Sequence, residues 1–545
     1  MPDARSGRGP WRVHGIPAVT VGAAALALTA SILTIPTAAA EVSTQISAQS
    51  ACSNARAALR GMEVDTSEIF SQGRVTLDGW TVAFRPSRWR AQHDRIDLFT
   101  RSFHSSAWMI PDSREDLEPA IGLFLEQARN NPDPGAGVGP EALKARGWIE
   151  SHVTWRMKTG LCLYGKADEQ GRERLLPALE QLIEANLDPY RYYGPPIRPA
   201  HNHGLMADRE LLNAARILKR DDLADLAVHR LSLQQEQMYD PCGFMFEQAS
   251  SYQHLHASLW NQIRRRIPVR SEALGLQEMI ELINTAAFAL TFPDGMVPII
   301  GDGTSRIVDD VSVVAGNLSW LCTKSGWFTR RIVSKQLSQQ VIARFGPSTT
   351  MHGHTDKGSL VWWVGRGQQG QAVIVDRGLP SKTDPDGVRV ARSVASHAAF
   401  DWNDSADRET KATQTRLRGG RERLVISGST SVKGRWFRTV TYSKERAVLT
   451  IKDRVRSSGP AGAARSFVPL DPAWKPMSKP GVFSTTEGAR MTVTCSTSSG
   501  ERIRVKTQRV ADYQQTIARK AFTVMCQVSD AREGITVKLR IDRQV

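Results

Sequence analysis

The chain has 545 residues, with 71 Lys and Arg against 55 Asp and Glu, a net charge of +16 and 41% apolar residues. This length exceeds what one hydrophobic core usually supports, so two large domains are expected, and the apolar fraction is that of an ordinary globular protein. The basic excess favours an acidic partner through long-range attraction. No helix-turn-helix, zinc-finger or RNA-binding pattern accompanies it, so nucleic acid is not the expected partner. The excess also fits a plain solvated surface.

Residues 1–40 carry a basic front (Arg5, Arg8, Arg12), an uncharged run from Ile16 to Ala40, and the small residues Ala38-Ala39-Ala40 before Glu41. They read as a signal peptide, which makes the protein secreted. The run is also longer than the ~20 residues that span a bilayer, so an N-terminal membrane anchor is the alternative, with Pro36 favouring removal. All six cysteines (Cys52, Cys162, Cys242, Cys322, Cys495, Cys526) follow this segment, and an oxidising compartment permits disulfides. Cys495 and Cys526, both in strand-like segments, form the best single pair; the other pairings stay open. The 14 Trp are numerous; most are expected in the core, and the rest can stack on sugar rings.

Residues 41–75 read as a helical lead-in and 76–115 as mixed structure. From Leu117 a 3.6-residue period takes over, in Ile121, Phe124 and Ala128, then Leu175, Leu179 and Leu182, Leu211, Ala215 and Leu218, Leu223, Ala227 and Leu231, and Ile280, Ile283 and Ala286. Helices in succession, broken by Pro and Gly, suggest stacked hairpins in a toroid or solenoid. Near residue 335 the pattern changes to short alternating runs such as Val341–Phe345, Thr439–Tyr442, Ala447–Ile451, Met491–Thr494 and Ile535–Leu539, the spacing of an antiparallel β-sandwich. The expected fold is multidomain α+β, with residues 41–330 helical and residues 331–545 the sandwich. The two halves are expected to pack directly, with a site near their seam.

Met351-His352-Gly353-His354-Thr355-Asp356 stands close to that seam. On a strand, its alternate imidazoles and carboxylate would point the same way. Asp376 closes an apolar strand and His397 follows in Ser396-His397-Ala398. Imidazole and carboxylate together suit zinc, with a satisfied structural cluster as the alternative. Upstream stand Asn202-His203-Gly204, Glu247-Gln248-Ala249-Ser250-Ser251-Tyr252, and Pro293-Asp294-Gly295-Met296-Val297-Pro298 leading into Gly301-Asp302-Gly303. Read alone, Asn202 is also a helix N-cap, His203 a packed histidine, Tyr252 a core tyrosine, and the glycine pairs are turns. There is no phosphate loop and no Gly-x-Ser-x-Gly elbow.

In this order the motifs resemble the heparinase II/III-like polysaccharide lyases, from about Trp80 to the last strands. The resemblance implies an N-terminal (α/α) toroid followed by a C-terminal antiparallel β-sandwich, and β-elimination of uronic-acid polysaccharides. It implies that Asn202 neutralises the uronate carboxylate, that His203 and Tyr252 transfer protons, and that His352 faces the toroid from the sandwich. It also implies a structural zinc held by His354, Asp376 and His397. A tyrosine acting as base would need nearby cations, which His203 and His352 would supply. Two positions depart from the pattern. Gln253 stands where a histidine often follows the tyrosine, leaving His254 as a substitute, and Ala398 stands where Asn often follows the last histidine. Arg389 and Arg392 either reach the acidic sugar or form surface ion pairs. The expected protein is an exported polysaccharide lyase acting on an acidic polysaccharide. The alternatives are a non-catalytic binder of acidic glycan or cell-wall polymer, and a glycoside hydrolase, which needs two facing carboxylates such as Glu247 and Asp208.

Overall fold

The structure is a computed structural model that describes most of residues 49–543. Residues 1–48, 84–88, 90–102, 136–146, 194–199, 268–273, 309–315, 347–351, 355–357, 381–384, 403–409, 430–433 and 514–518, with isolated positions elsewhere, lie outside the described set. The expected signal segment and Asp356 fall there. Among the described residues no helix is long and apolar enough to cross a membrane.

The periodic segments form helices. Leu117–Asn130 (α1) buries Ala120, Ile121 and Phe124 on one face. Glu150–Lys166 (α2) is followed by Glu169–Leu187 (α3), whose first turn is closed by the Asp168 carboxylate accepting from Gly171 N. After Pro189–Tyr193 (α4) come Asn202–Leu218 (α5), Asp221–Met238 (α6), Ser250–Arg264 (α7) and Leu274–Ala289 (α8). α2 pairs with α3, α5 with α6 and α7 with α8, while α2, α5 and α7 pack side by side. This double row of hairpins is the toroid layer, and its buried faces form one continuous apolar core.

Two antiparallel sheets follow. The first begins with Leu318–Cys322 (β1), Trp327–Ile332 (β2), Ser338–Arg344 (β3), Ser359–Arg366 (β4) and Gln369–Ile374 (β5), each paired to the next, and is completed by Ala464–Leu470, Arg519–Val528 and Lys506–Asp512. The second is built on Thr410–Leu417, Arg421–Ser429, Gly434–Ser443, Val448–Ser457, Ile535–Arg543 and Arg490–Thr497. Arg421–Ser429 alternates buried and half-buried, as a strand with one core face should. β3 is buried along its whole length, because one face meets the second sheet and the other meets the helices. The sheet starts at Leu318, ahead of the expected change at 331: β2 buries the polar residues Thr329, Arg330 and Arg331, and so it does not alternate.

The seam is built from both sides. Cys242, after α6, is disulfide-bonded to Cys322 of β1. The last carbonyls of α8 are met by the sheet: Ala289 O accepts from Thr329 Oγ1 at 2.9 Å and from Gln340 Nε2 at 2.9 Å, and Phe288 O accepts from Arg331 at 2.6 Å. Cys52–Cys162 and Cys495–Cys526 complete the disulfides, the last being the pair expected from sequence. Trp89, Trp148, Trp260, Trp327, Trp362, Trp363, Trp402 and Trp474 are essentially buried, as expected for most Trp.

Candidate functional site

The start of α7, the turn at Gly301-Asp302-Gly303 and the connection between β3 and β4 meet at one point. Ser250 N donates to Ile300 O at 3.0 Å, clipping the turn to the helix. Gly301 has φ +74°, and a Cβ there would stand 2.7 Å from His352 O. Only glycine allows the chain to pass so close, and Asp302 N then donates to that same His352 O at 2.9 Å. The Tyr252 ring stacks on His352, centroids 3.6 Å apart and planes 20° apart.

Asp302 is the hub. Its Oδ2 lies 3.2 Å from His352 Nδ1 and accepts from Arg392 at 2.7 Å, and its Oδ1 lies 2.7 Å from His354 Nε2. Burial pushes this carboxyl up, but the two imidazole hydrogen bonds and the charges of His354 and Arg392 outweigh it and hold it well below the usual carboxylate range. The other imidazole nitrogen of His352 lies 3.5 Å from Glu247 Oε2. Glu247 is aimed by Gln248, a non-glycine residue at φ +58° whose side chain accepts from Arg344 and donates to Ser325 O at 2.8 Å.

Tyr252 is half-buried. Burial, then the charges of Asp302 and Glu247, push its phenol up to about 12 against the opposing pull of Arg392. The charges of Asp302 and Glu247 outweigh that of Arg392, so the phenol is protonated at neutral pH. Its hydroxyl makes no hydrogen bond to a described residue, unlike a core tyrosine.

Asn202 and His203 occupy the first turn of α5. The N-cap is His201, not Asn202, and the Asn202 amide makes no hydrogen bond to a described residue. The N-cap reading of Asn202 therefore fails. At Gly204 a Cβ would stand 2.7 Å from Gln234 Nε2 of α6, so the amide end of Gln234 packs directly over this turn. The rings of His201 and His203 are 5.6 Å apart. His256 of α7 is buried against Tyr239: burial, then the charges of His352 and of His201, bring it down to about 3. Among these residues direct contact is described for Tyr252 with His352 and for His201 with His203.

His354, Asp376 and His397 are all buried, with ligand atoms within 4.8 Å of one another. His397 Nδ1 lies 2.7 Å from Asp376 Oδ2. His354 Nδ1 and His397 Nε2 are buried without a hydrogen-bond partner, which is costly unless something binds them. Burial, opposed by the Asp302 hydrogen bond, lowers the His354 pKa and favours its neutral, ligating form. Asp302 then holds the far nitrogen, as carboxylates do behind zinc-bound histidines. These residues fit a divalent metal of the zinc type. Among the described residues one further cluster, Asp240 with Cys242 and Cys322, is ruled out because both sulfurs are in a disulfide.

Several expectations change. His352 and His354 lie in a connection without ladder partners, not on a strand, and converge because Asp302 takes one on each oxygen. Gln253 is structural: it accepts from Met245 N at 2.9 Å and donates to Gly243 O at 2.9 Å. His254 is buried against Thr291 Oγ1 at 3.0 Å and does not replace the missing histidine. Arg389 is a surface residue paired with Asp386, whereas Arg392 reaches the site. Asp208 is fully buried, accepting from Tyr192 at 2.6 Å and Gln234 at 2.8 Å, so it cannot face Glu247 across a glycan. In the sequence Asp302 stands only as part of a Gly-rich turn. Its flanking glycines were the available signal, and its contacts with residues far along the chain were not.

A helical toroid joined to an antiparallel β-sandwich, with histidines at the seam, defines the class. Residues 316–539 match the family model described as Heparinase II/III-like, C-terminal. The fold is similar to that of Heparinase III (14% identity, TM-score 0.69, covering 92% of this chain and 85% of that one). It is also similar to heparan sulfate lyase HepC from Pedobacter heparinus (12%, 0.62, 92% and 89%). Chondroitin AC lyase of Streptomyces coelicolor A3, solved with chondroitin sulphate, is more distant (8%, 0.50, 92% and 79%). No curated protein matches the chain in sequence. Residues 316–539 thus match a heparinase II/III-like C-terminal domain, and the chain as a whole shares the fold of these lyases.

Proposed function

We propose that this protein is an exported polysaccharide lyase that cleaves a uronic-acid-containing polysaccharide by β-elimination. The observation that carries the reading is the Tyr252–His352 stack beside Asp302, Glu247 and Arg392. Three disulfides support export to an oxidising compartment.

In the proposed reaction the Asn202 amide, with Arg392 near Asp302, hydrogen-bonds the uronate carboxylate and stabilises the charge that develops on it. His203 takes the C5 proton, and the electron pair of that C–H bond forms the C4=C5 double bond. The C4–O bond breaks, and Tyr252 gives its phenolic proton to the departing oxygen, a role suited to a phenol held at about 12. His352, fixed between Asp302 and Glu247, orients the Tyr252 ring. A zinc-type ion held by His354, Asp376 and His397 would act as a brace for the connection bearing His352. The test is mass spectrometry of cleaved uronate polymer. Elimination gives fragments whose masses sum to the parent without added water, one of them absorbing in the ultraviolet; hydrolysis adds a water, and a binding protein leaves the polymer intact.

A further inference from the structure

The second sheet turns one face to the first sheet and the other to solvent, away from the helices. Along Val448–Ser457 the inward Leu449, Ile451 and Val455 are buried. Asp453 also points inward, where it accepts from buried Arg438 at 2.7 Å. The alternate residues Lys452, Arg454 and Arg456 are exposed on the outer face, about 7 Å from one to the next. On one neighbouring strand, exposed Arg435 stands directly opposite Arg456, and Phe437 opposite Arg454. Arg435 and Arg456 both lie over the Phe437 ring, at 5.6 and 5.1 Å. On the other neighbouring strand, exposed Lys538 stands opposite Thr450, diagonal to Lys452, and Arg540 opposite Val448. Among the described outward positions of these three strands the carboxylate is Asp542, which pairs with Arg540. The cations therefore trace a diagonal path of roughly 28 Å across the sheet. It ends at a shallow recess of about 640 Å³ lined by Arg435, Arg456 and Arg532, the last held by Asp530. Like charges directly opposite one another, as Arg435 and Arg456 are, destabilise a sheet. An anion lying between them removes the repulsion and gains charge-assisted hydrogen bonds.

We propose that this outer face is a second binding surface, separate from the seam, which holds a linear sulfated or carboxylated polysaccharide by its anionic groups. Charge complementarity fixes the sign of the partner, and the rest of the face fixes its kind. The half-buried hydroxyls of Thr439, Thr450 and Thr536 stand beside Lys452 and Lys538 and suit sugar hydroxyls. Reading a duplex takes a helix or ribbon that enters a groove, whereas this face is a sheet surface. Holding single strands takes free aromatic platforms, whereas Phe437 is already stacked by two guanidiniums. That the polymer held here is also the one cleaved at the seam rests on the lyase reading; the preference for a polyanion rests on the cations.

The test is calorimetry on the full chain carrying Tyr252→Phe, with a long heparin chain as probe and the salt concentration varied. One set combines Lys452→Gln, Arg454→Gln and Arg456→Gln. A control set, Lys506→Gln, Arg509→Gln and Lys520→Gln, removes the same charge at exposed positions of the first sheet. Three lost ionic contacts lower the slope of log K against log salt by about 2 to 3. The first set should therefore bind heparin at least tenfold more weakly near 0.1 M salt with that smaller slope, while the control set binds as the parent does. Arg454→Lys with Arg456→Lys, which keeps the charge, should also bind as the parent does. Equal losses in the two Gln sets would mean attraction by net charge alone and overturn the proposal, as would unchanged binding in the first set. Tighter binding of duplex DNA than of heparin, lost in the same variants, would overturn it too. The lyase reading is scored separately, by unsaturated product released from a heparin or hyaluronan tetrasaccharide with Tyr252 intact. If no such product forms and the first set still loses heparin, the lyase reading fails and the outer surface stands. If product forms and the first set binds as the parent does, the surface fails and the lyase reading stands.

Discussion

Replacing Asp302 by Asn tests the hub directly, since the change keeps the volume and removes the charge. The buried bond with His354 at 2.7 Å is worth about 1.5–3 kcal/mol. The longer contact with His352 adds ~1 kcal/mol, and the Arg392 pair, with Arg392 40% exposed, less than ~1 kcal/mol. The amide keeps one acceptor oxygen but turns an NH₂ toward another donor, so the net loss is about 2–4 kcal/mol rather than the sum. A carboxylate behind a metal-bound histidine also tightens the metal, typically 10–100-fold. Asp302→Asn should therefore lower the urea midpoint, weaken zinc binding about tenfold or more, and reduce kcat/KM through misplaced His352. Tryptophan fluorescence in urea, zinc titration and product absorbance read the three effects. A variant that unfolds at the wild-type urea concentration and keeps wild-type zinc affinity would refute the hub.

Two further outcomes are expected. His397→Ala should abolish stoichiometric zinc binding and remove the zinc-dependent rise in melting temperature, a linkage worth about 2.7 kcal/mol at a free zinc concentration 100 times the Kd; zinc uptake equal to wild type would contradict the assignment. Asp208→Asn tests burial of a carboxyl. Burial raises Asp208 to about 7, against the weaker pulls of Tyr192, Arg230 and Gln234, from the ordinary 3.8. The folded state therefore holds a proton that the unfolded state releases, and stability falls as pH rises from about 4 to about 7, with a slope approaching 1.4 kcal/mol per pH unit. Urea midpoints across that range should flatten in Asp208→Asn relative to wild type, and an identical pH dependence would show that Asp208 is already ionised in the fold.

The hairpin layer was legible because each helix buries one stripe, so Leu175, Leu179 and Leu182 recur at the helical period. The outer sheet was legible for the matching reason, in strands such as Arg421–Ser429. The seam was not. β2 and β3 are covered on both faces, so Arg331, Gln339 and Gln340 are buried and erase the alternation on which a strand reading depends. The metal set His354, Asp376 and His397 converges as the family resemblance implied, although not through a strand. Asp302 escaped notice because a charged residue between two glycines reads as a solvated turn, and only its contacts with His352, His354 and Arg392 give it a role. The environment of Tyr252 was inverted for a related reason: neighbours in space, Asp302 and Glu247, set its proton affinity, and Asp302 is remote from it in sequence.

Product analysis of wild-type protein and Tyr252→Phe on native and carboxyl-reduced uronate polysaccharides bears most directly on the proposed chemistry. The wild type should release chains ending in an unsaturated uronate from the native polymer only, and Tyr252→Phe, still folded and still binding, should release almost none. Full activity in Tyr252→Phe, or equal cleavage of the reduced polymer with a gain of water, would contradict it.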